Sequence, residues 1–121
     1  MTHKPVALVT GASSGFGQLT ARLLARKGYR AFGTSRKELV AAPQEFEMLR
    51  LDVQSDQSVQ ACVQQLLRLV DRIDLLVNNA GQVHASVIEE TSLEQAKDVF
   101  ETNFWGVVRV TNAVLPIMRQ Q

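Results

Sequence analysis

The chain has 121 residues, enough for one domain over 1–121 that buries about 65% of its unfolded surface. Its 13 Lys and Arg against 12 Asp and Glu leave a formal charge of +1, which argues against a nucleic-acid or membrane partner. The apolar runs are only a few residues long and the opening Met-Thr-His-Lys-Pro has no signal-peptide core, so a cytoplasmic location is expected.

Val6 to Val9 is a short β-prone run that stops at a glycine-studded turn, Thr10-Gly11-Ala12-Ser13-Ser14-Gly15-Phe16-Gly17, and a helical pattern follows. Strand, glycine turn and helix together make a phosphate-binding device. Gly11 lets the chain leave the strand sharply, Gly15 lets backbone approach a pyrophosphate, and Gly17 lets the helix pack closely on the strand. The spacing G-x-x-x-G-x-G lacks the lysine of a P-loop, which leaves a nicotinamide dinucleotide as the better ligand.

The first helix is expected over Gly15 to Lys27, with Leu19, Leu23 and Leu24 in the core and Gly28 as its stop. A second strand over Tyr29 to Gly33 leads into the loop Thr34-Ser35-Arg36-Lys37. At this position, about twenty residues past the glycine turn, a carboxylate would select a free ribose hydroxyl and an arginine a 2′-phosphate. There is no acid between Thr20 and Lys37, whereas Arg36 offers a planar fork, so NADP (as NADPH) is favoured over NAD.

Glu38 to Glu45 reads as a weak helix or irregular crossing broken by Pro43. A third strand, Glu47 to Leu51, ends at Asp52 and Val53. Ser55 then caps a helix from Asp56 to about Val70 whose apolar face is Val59, Val63, Leu66, Leu67 and Val70. The lone cysteine, Cys62, sits among these residues and reads as buried packing. A fourth strand, Asp74 to Val77, enters Asn78-Asn79-Ala80-Gly81. Ser92 and Gln95 have capping-box spacing at the start of one long helix. Its face is Leu93, Ala96, Phe100, Phe104, Val107, Val110, Val114 and Met118, with Asn103 and Gly106 within or beside it. His3 and His84 have no partner at ligand spacing, so no metal site is expected.

This alternation makes an α/β fold, a Rossmann-type doubly wound parallel sheet ordered 3-2-1-4. Four motifs in this order resemble the short-chain dehydrogenase/reductase family, in its T-G-x-x-x-G-x-G subgroup, from about Pro5 to Gln121. They are the glycine turn, Leu51-Asp52-Val53, Asn78-Asn79-Ala80-Gly81, and Thr102-Asn103 with Gly106. Phe16 stands where that family commonly has Ile or Leu.

The resemblance implies that Gly11, Ser13, Ser14, Gly15, Phe16 and Gly17 hold the cofactor and that Arg36 takes the 2′-phosphate. Asp52 and Val53 would border the adenine, and Asn79, Ala80 and Gly81 the nicotinamide half. Asn103 would be the catalytic asparagine of a proton relay. The implied reaction is hydride transfer with a small alcohol or ketone, in which a tyrosine, a lysine four residues later and a serine act. Tyr29 is the only tyrosine and Gly33 lies four residues on, so these 121 residues read as the cofactor-binding half of a fold truncated relative to the family's. The alternative is a catalytically inactive dinucleotide-binding or interaction module. A homo-oligomer through the 93–118 helix is a further expectation.

Overall fold

Alternation along Val6-Ala7-Leu8-Val9 decides the layering, because successive strand side chains point to opposite faces. The computed structural model describes residues 3–39 and 45–121. Its strands are β1 (Val6–Val9), β2 (Arg30–Ser35), β3 (Glu47–Arg50) and β4 (Leu75–Val77), all parallel and ordered β3-β2-β1-β4. Helix α1 (Gly15–Arg26) covers one face, where Val9, Ala12, Ala21, Ala31 and Phe46 form a small core. Helices α2 (Asp56–Leu69) and α4 (Gly106–Arg119) share the larger core on the other face, with Val6, Leu8, Phe32, Leu66, Val110 and Val114. The sheet is thus doubly wound in the expected order.

Between β4 and α4 lie a 3-10 turn (Ile88–Glu90), helix α3 (Leu93–Phe100) and a π-helical turn (Glu101–Trp105). Helix α2 is capped by Ser55, whose hydroxyl accepts from the Ser58 N–H at 3.1 Å. Helix α3 opens with the expected box: Ser92 Oγ accepts from the Gln95 N–H, and Gln95 Oε1 from the Ser92 N–H.

Several expectations are corrected. Leu19 and Leu23 are not core residues; they are 57% and 55% exposed. The buried positions of α1 are Gly17 and Ala21, with Leu24 and Ala25 partly buried, so a face of mostly small residues lets the helix lie close to the sheet. Leu19 and Leu23 fall well round the helix from that face. Thr34 and Ser35 belong to β2 rather than to the loop, because β3 pairs with them through Leu49 and Arg50. Leu67 is exposed, and Cys62 takes a place in the buried face of α2.

The single long helix is interrupted by the π turn, where the Gly106 N–H donates to the Glu101 carbonyl five residues back. Its expected apolar face is buried only in α4: Leu93, Phe100 and Phe104 are exposed. Residues 40–44, the middle of the expected crossing, lie outside the described residues.

Candidate functional site

Thr10, the last residue before the glycine turn, is buried, and its hydroxyl accepts from the Asn79 and Ala80 N–H groups at 3.0 and 2.9 Å. The turn itself is fixed from both sides. The Gly11 and Ala12 N–H groups donate to Thr34 Oγ1 and the Thr34 carbonyl, while Asn79 Nδ2 donates to the Gly11 carbonyl at 2.9 Å. Gly11 has φ +66°, and a Cβ there would lie 2.8 Å from Ala80 Cα, so only glycine fits without displacing β4's end. A Cβ at Gly17 would strike the Gly11 carbonyl and the Asn79 side chain, so the close approach it permits is to the glycine turn and Asn79 rather than to the strand.

These strand ends surround a cleft of about 390 Å³. Of the residues singled out from sequence, Gly11, Ser13, Ser14, Phe16, Arg36, Val53, Asn79, Ala80 and Gly81 line it. Gly15, Gly17, Asp52 and Asn103 stand just outside the lining. Gly15 has φ +57° and open space where a Cβ would be. Asp52 is half-buried and closes a turn, its Oδ1 accepting from the Gln54 N–H at 3.0 Å. Asn103 pairs its amide with one backbone unit: Oδ1 accepts from the Gln82 N–H and Nδ2 donates to the Gln82 carbonyl, both at 2.8 Å. One amide N–H and one lone pair are left over.

Electrostatically the cleft is built for an anion. The α1 N-terminus opens at it, and no side chain caps its first N–H groups. Its first turn also carries no acid. By contrast, serines cap α2 and α3. Arg36 and Lys37 lie at the end of β2, and Arg36 has no salt-bridge partner among the described residues. Donors and cation together fit a dinucleotide's phosphates.

A larger hollow, about 640 Å³, opens at the opposite end of the sheet between His3, Arg30 and Arg72. There the carboxyl end of α2 presents carbonyls, one of which, Leu69 O, already accepts from Arg30. That end has the wrong dipole for phosphate and lacks a glycine turn.

Sequence reasoning passed over Gln82, and it quoted Thr102, Thr10 and Thr34 in motifs and loops without giving them the places they take: Gln82 and Thr102 line the cleft, and Thr10 and Thr34 fix the turn. A buried threonine beside a glycine turn is a usable signal for the second pair. Thr102 was marked only by its place beside Asn103 in the mid-helix motif, and Gln82 carried no signal, since its partners lie on another element.

Residues 5–121 match the family described as short chain dehydrogenase. The chain belongs to the short chain dehydrogenase family. This short chain dehydrogenase sequence is 41% identical over 119 residues to a 3-ketodihydrosphingosine reductase of Bacteroides thetaiotaomicron, covering 95% of this chain and 42% of that protein. Its fold is similar to an actinorhodin polyketide ketoreductase solved with NADPH, at TM-score 0.86 and 38% identity over 94% of this chain and 47% of the other. It is also similar to a Brucella melitensis 3-ketoacyl-(acyl-carrier-protein) reductase complexed with NADH, at TM-score 0.89 and 29% identity over 96% and 51%. The chain spans about half the length of these short chain dehydrogenase relatives.

Proposed function

We propose that this chain is the dinucleotide-binding half of an oxidoreductase that interconverts an alcohol and a ketone, with NADP(H) preferred over NAD(H). The observation that carries it is the uncapped N-terminus of α1 opening on the cleft, with Arg36 also lining it. In this reading the α1 amides and the hydroxyls of Ser13 and Ser14 hold the pyrophosphate, and Gly15 leaves it room. Arg36 and Lys37 receive the 2′-phosphate. Asp52 and Val53 border the adenine; Asn79, Ala80 and Gly81 border the nicotinamide half, and Phe16, 84% exposed, covers the cleft mouth.

A bound nicotinamide supplies or accepts the hydride. The residues of this chain orient it and exclude water. Asn103 holds the Gln82 backbone and has one N–H and one lone pair to contribute to a proton relay. The alcohol or ketone is met by residues outside this stretch, in line with relatives twice its length.

Titration of the protein that carries this sequence with NADPH and NADH tests the reading, with Gly15→Val as the discriminating variant. The Cβ of a valine meets no atom at position 15 but the residue strains a backbone at φ +57°, for about 1–3 kcal/mol of stability, and its branched side chain takes up the space assigned to the phosphate. The expected result is a folded variant whose NADPH affinity falls at least about tenfold. Unchanged affinity would remove the phosphate site from this turn.

A further inference from the structure

The loops that follow β3 and β4 meet on one carboxylate. In the order β3-β2-β1-β4 these strands are the two edges of the described sheet, three strand spacings or roughly 14 Å apart. Gln54 follows β3 and donates through Nε2 to Asp98 Oδ1 at 3.1 Å; Gln82 follows β4 and donates through Nε2 to Asp98 Oδ2 at 3.0 Å. Each Nε2 also lies within hydrogen-bond distance of Thr102 Oγ1, at 2.7 and 3.1 Å, and of the Asp98 carbonyl, so its two hydrogens are shared among three acceptors. A carboxylate accepts at both oxygens, so it grips two amides at once without sharing an atom, and an ionised acceptor strengthens each bond. The two amides hold the Asp98 carboxyl below the usual carboxylate range, Gln82 more than Gln54.

What the grip spans is the cleft. Val53, immediately before Gln54, lines it on one side, and Gly81 and Gln82 line it on the other. Asp98 itself is exposed and outside the lining, so it acts through the two glutamines. We infer that Asp98 is a positioning residue that sets the separation between the adenine side and the nicotinamide side of the cleft by holding Gln54 and Gln82 together. This rests on the dinucleotide reading above. A ligand that reaches both sides depends on that separation, whereas one that occupies only the adenosine side does not.

The test compares two ligands on the protein that carries this sequence: NADPH, and 2′,5′-ADP as its adenosine part. Asp98→Asn keeps the size but replaces one acceptor oxygen by an NH2 facing donors, which breaks one arm of the carboxylate grip and leaves that glutamine only its bonds to Thr102 Oγ1 and the Asp98 carbonyl. Calorimetry is expected to show NADPH affinity reduced about tenfold and 2′,5′-ADP affinity changed less than about twofold, since only the ligand spanning both sides loses preorganisation. Gln54→Met and Gln82→Met should each reproduce that pattern, and should add nothing further to Asp98→Asn. They also carry the test if Asp98→Asn fails to fold. Equal losses for the two ligands, or a lower melting temperature with NADPH affinity intact, would overturn the positioning role. Wild-type protein that binds 2′,5′-ADP, NADPH and NADH all too weakly to detect would instead overturn the dinucleotide reading, and this inference with it.

Discussion

In the proposed reading, Arg36 is the residue on which cofactor choice turns. It lines the cleft beside Ser35 and Lys37 with no salt-bridge partner among the described residues, while the family's solved neighbours include one with NADPH and one with NADH. A hydrogen bond to a charged group contributes about 1.5–3 kcal/mol, so Arg36→Ala should weaken NADPH by about 10- to 100-fold and NADH by less than about threefold. Fluorescence titration of both cofactors reads the ratio; equal losses would remove the phosphate role.

Cys62 offers a second residue-scale prediction. Burial pushes its thiol from 9.0 up to about 11. As pH rises between those values the unfolded chain releases the proton while the folded chain retains it, so this contribution is complete below the lower value and is lost above it. Two units correspond to about 2–3 kcal/mol. Denaturant unfolding at pH 8 and pH 11 should therefore show the wild type losing about 2 kcal/mol more than Cys62→Ala. Parallel losses would mean the thiol is not held out of water.

The burial of Cys62 was legible because Val59, Val63 and Leu66 mark one helical stripe. Leu19 and Leu23 misled because hydrophobicity alone does not say which side of α1 faces the sheet. Gly17 and Ala21 take that side.

Among the elements, those with local signals were readable. Each helix start or stop that depends on a residue within four positions appears where expected: Ser55 on Ser58, Ser92 with Gln95, and Gly28 at φ +100° after α1. The π turn was not readable, because it answers to a distant constraint. Gly106 brings the start of α4 against Val53, and Arg109 reaches from α4 to the Val53 carbonyl and to the Asp56 and Glu101 carboxylates.

Alanine at 106 would gain about 1 kcal/mol of helix propensity. Its methyl, however, would lie 2.6 Å from Val53 Cγ2, and Val53 is only 3% exposed and cannot withdraw. Overpacking of about 1–3 kcal/mol outweighs the gain, so Gly106→Ala should destabilise by about 1 kcal/mol net. Adding Val53→Ala should make the pair less damaging than the sum of the singles in thermal unfolding. A neutral or stabilising Gly106→Ala would show that α4 can move away from β3's end.

For the whole molecule the exposed apolar surfaces dominate. Strand β4 pairs only with β1 among the described residues, and Leu75, Leu76 and Val77 are each half-buried. Leu93, Phe100, Phe104 and Trp105 add exposed apolar area along α3 and the π turn. An open apolar strand edge and such a face both favour association, so the 121-residue polypeptide by itself is expected to sediment as oligomers at micromolar concentration. A monodisperse monomer that unfolds cooperatively would count against both surfaces as contacts. Among the described residues no helix is long and apolar enough to cross a membrane.

The sequence by itself determined the four strands, the first two helices, the sheet order, the glycine turn and the serine caps. These rest on periodicity, on glycine's conformational range and on hydrogen bonds between near neighbours, all of which are local. Only the tertiary structure decided which face of α1 is buried, that Thr34 and Ser35 belong to a strand, and that a π turn divides the last helix. It alone brought Gln54 and Gln82 onto Asp98, from 44 and 16 residues away. Those outcomes depend on what a side chain meets across the sheet, and a one-dimensional pattern carries no record of that meeting.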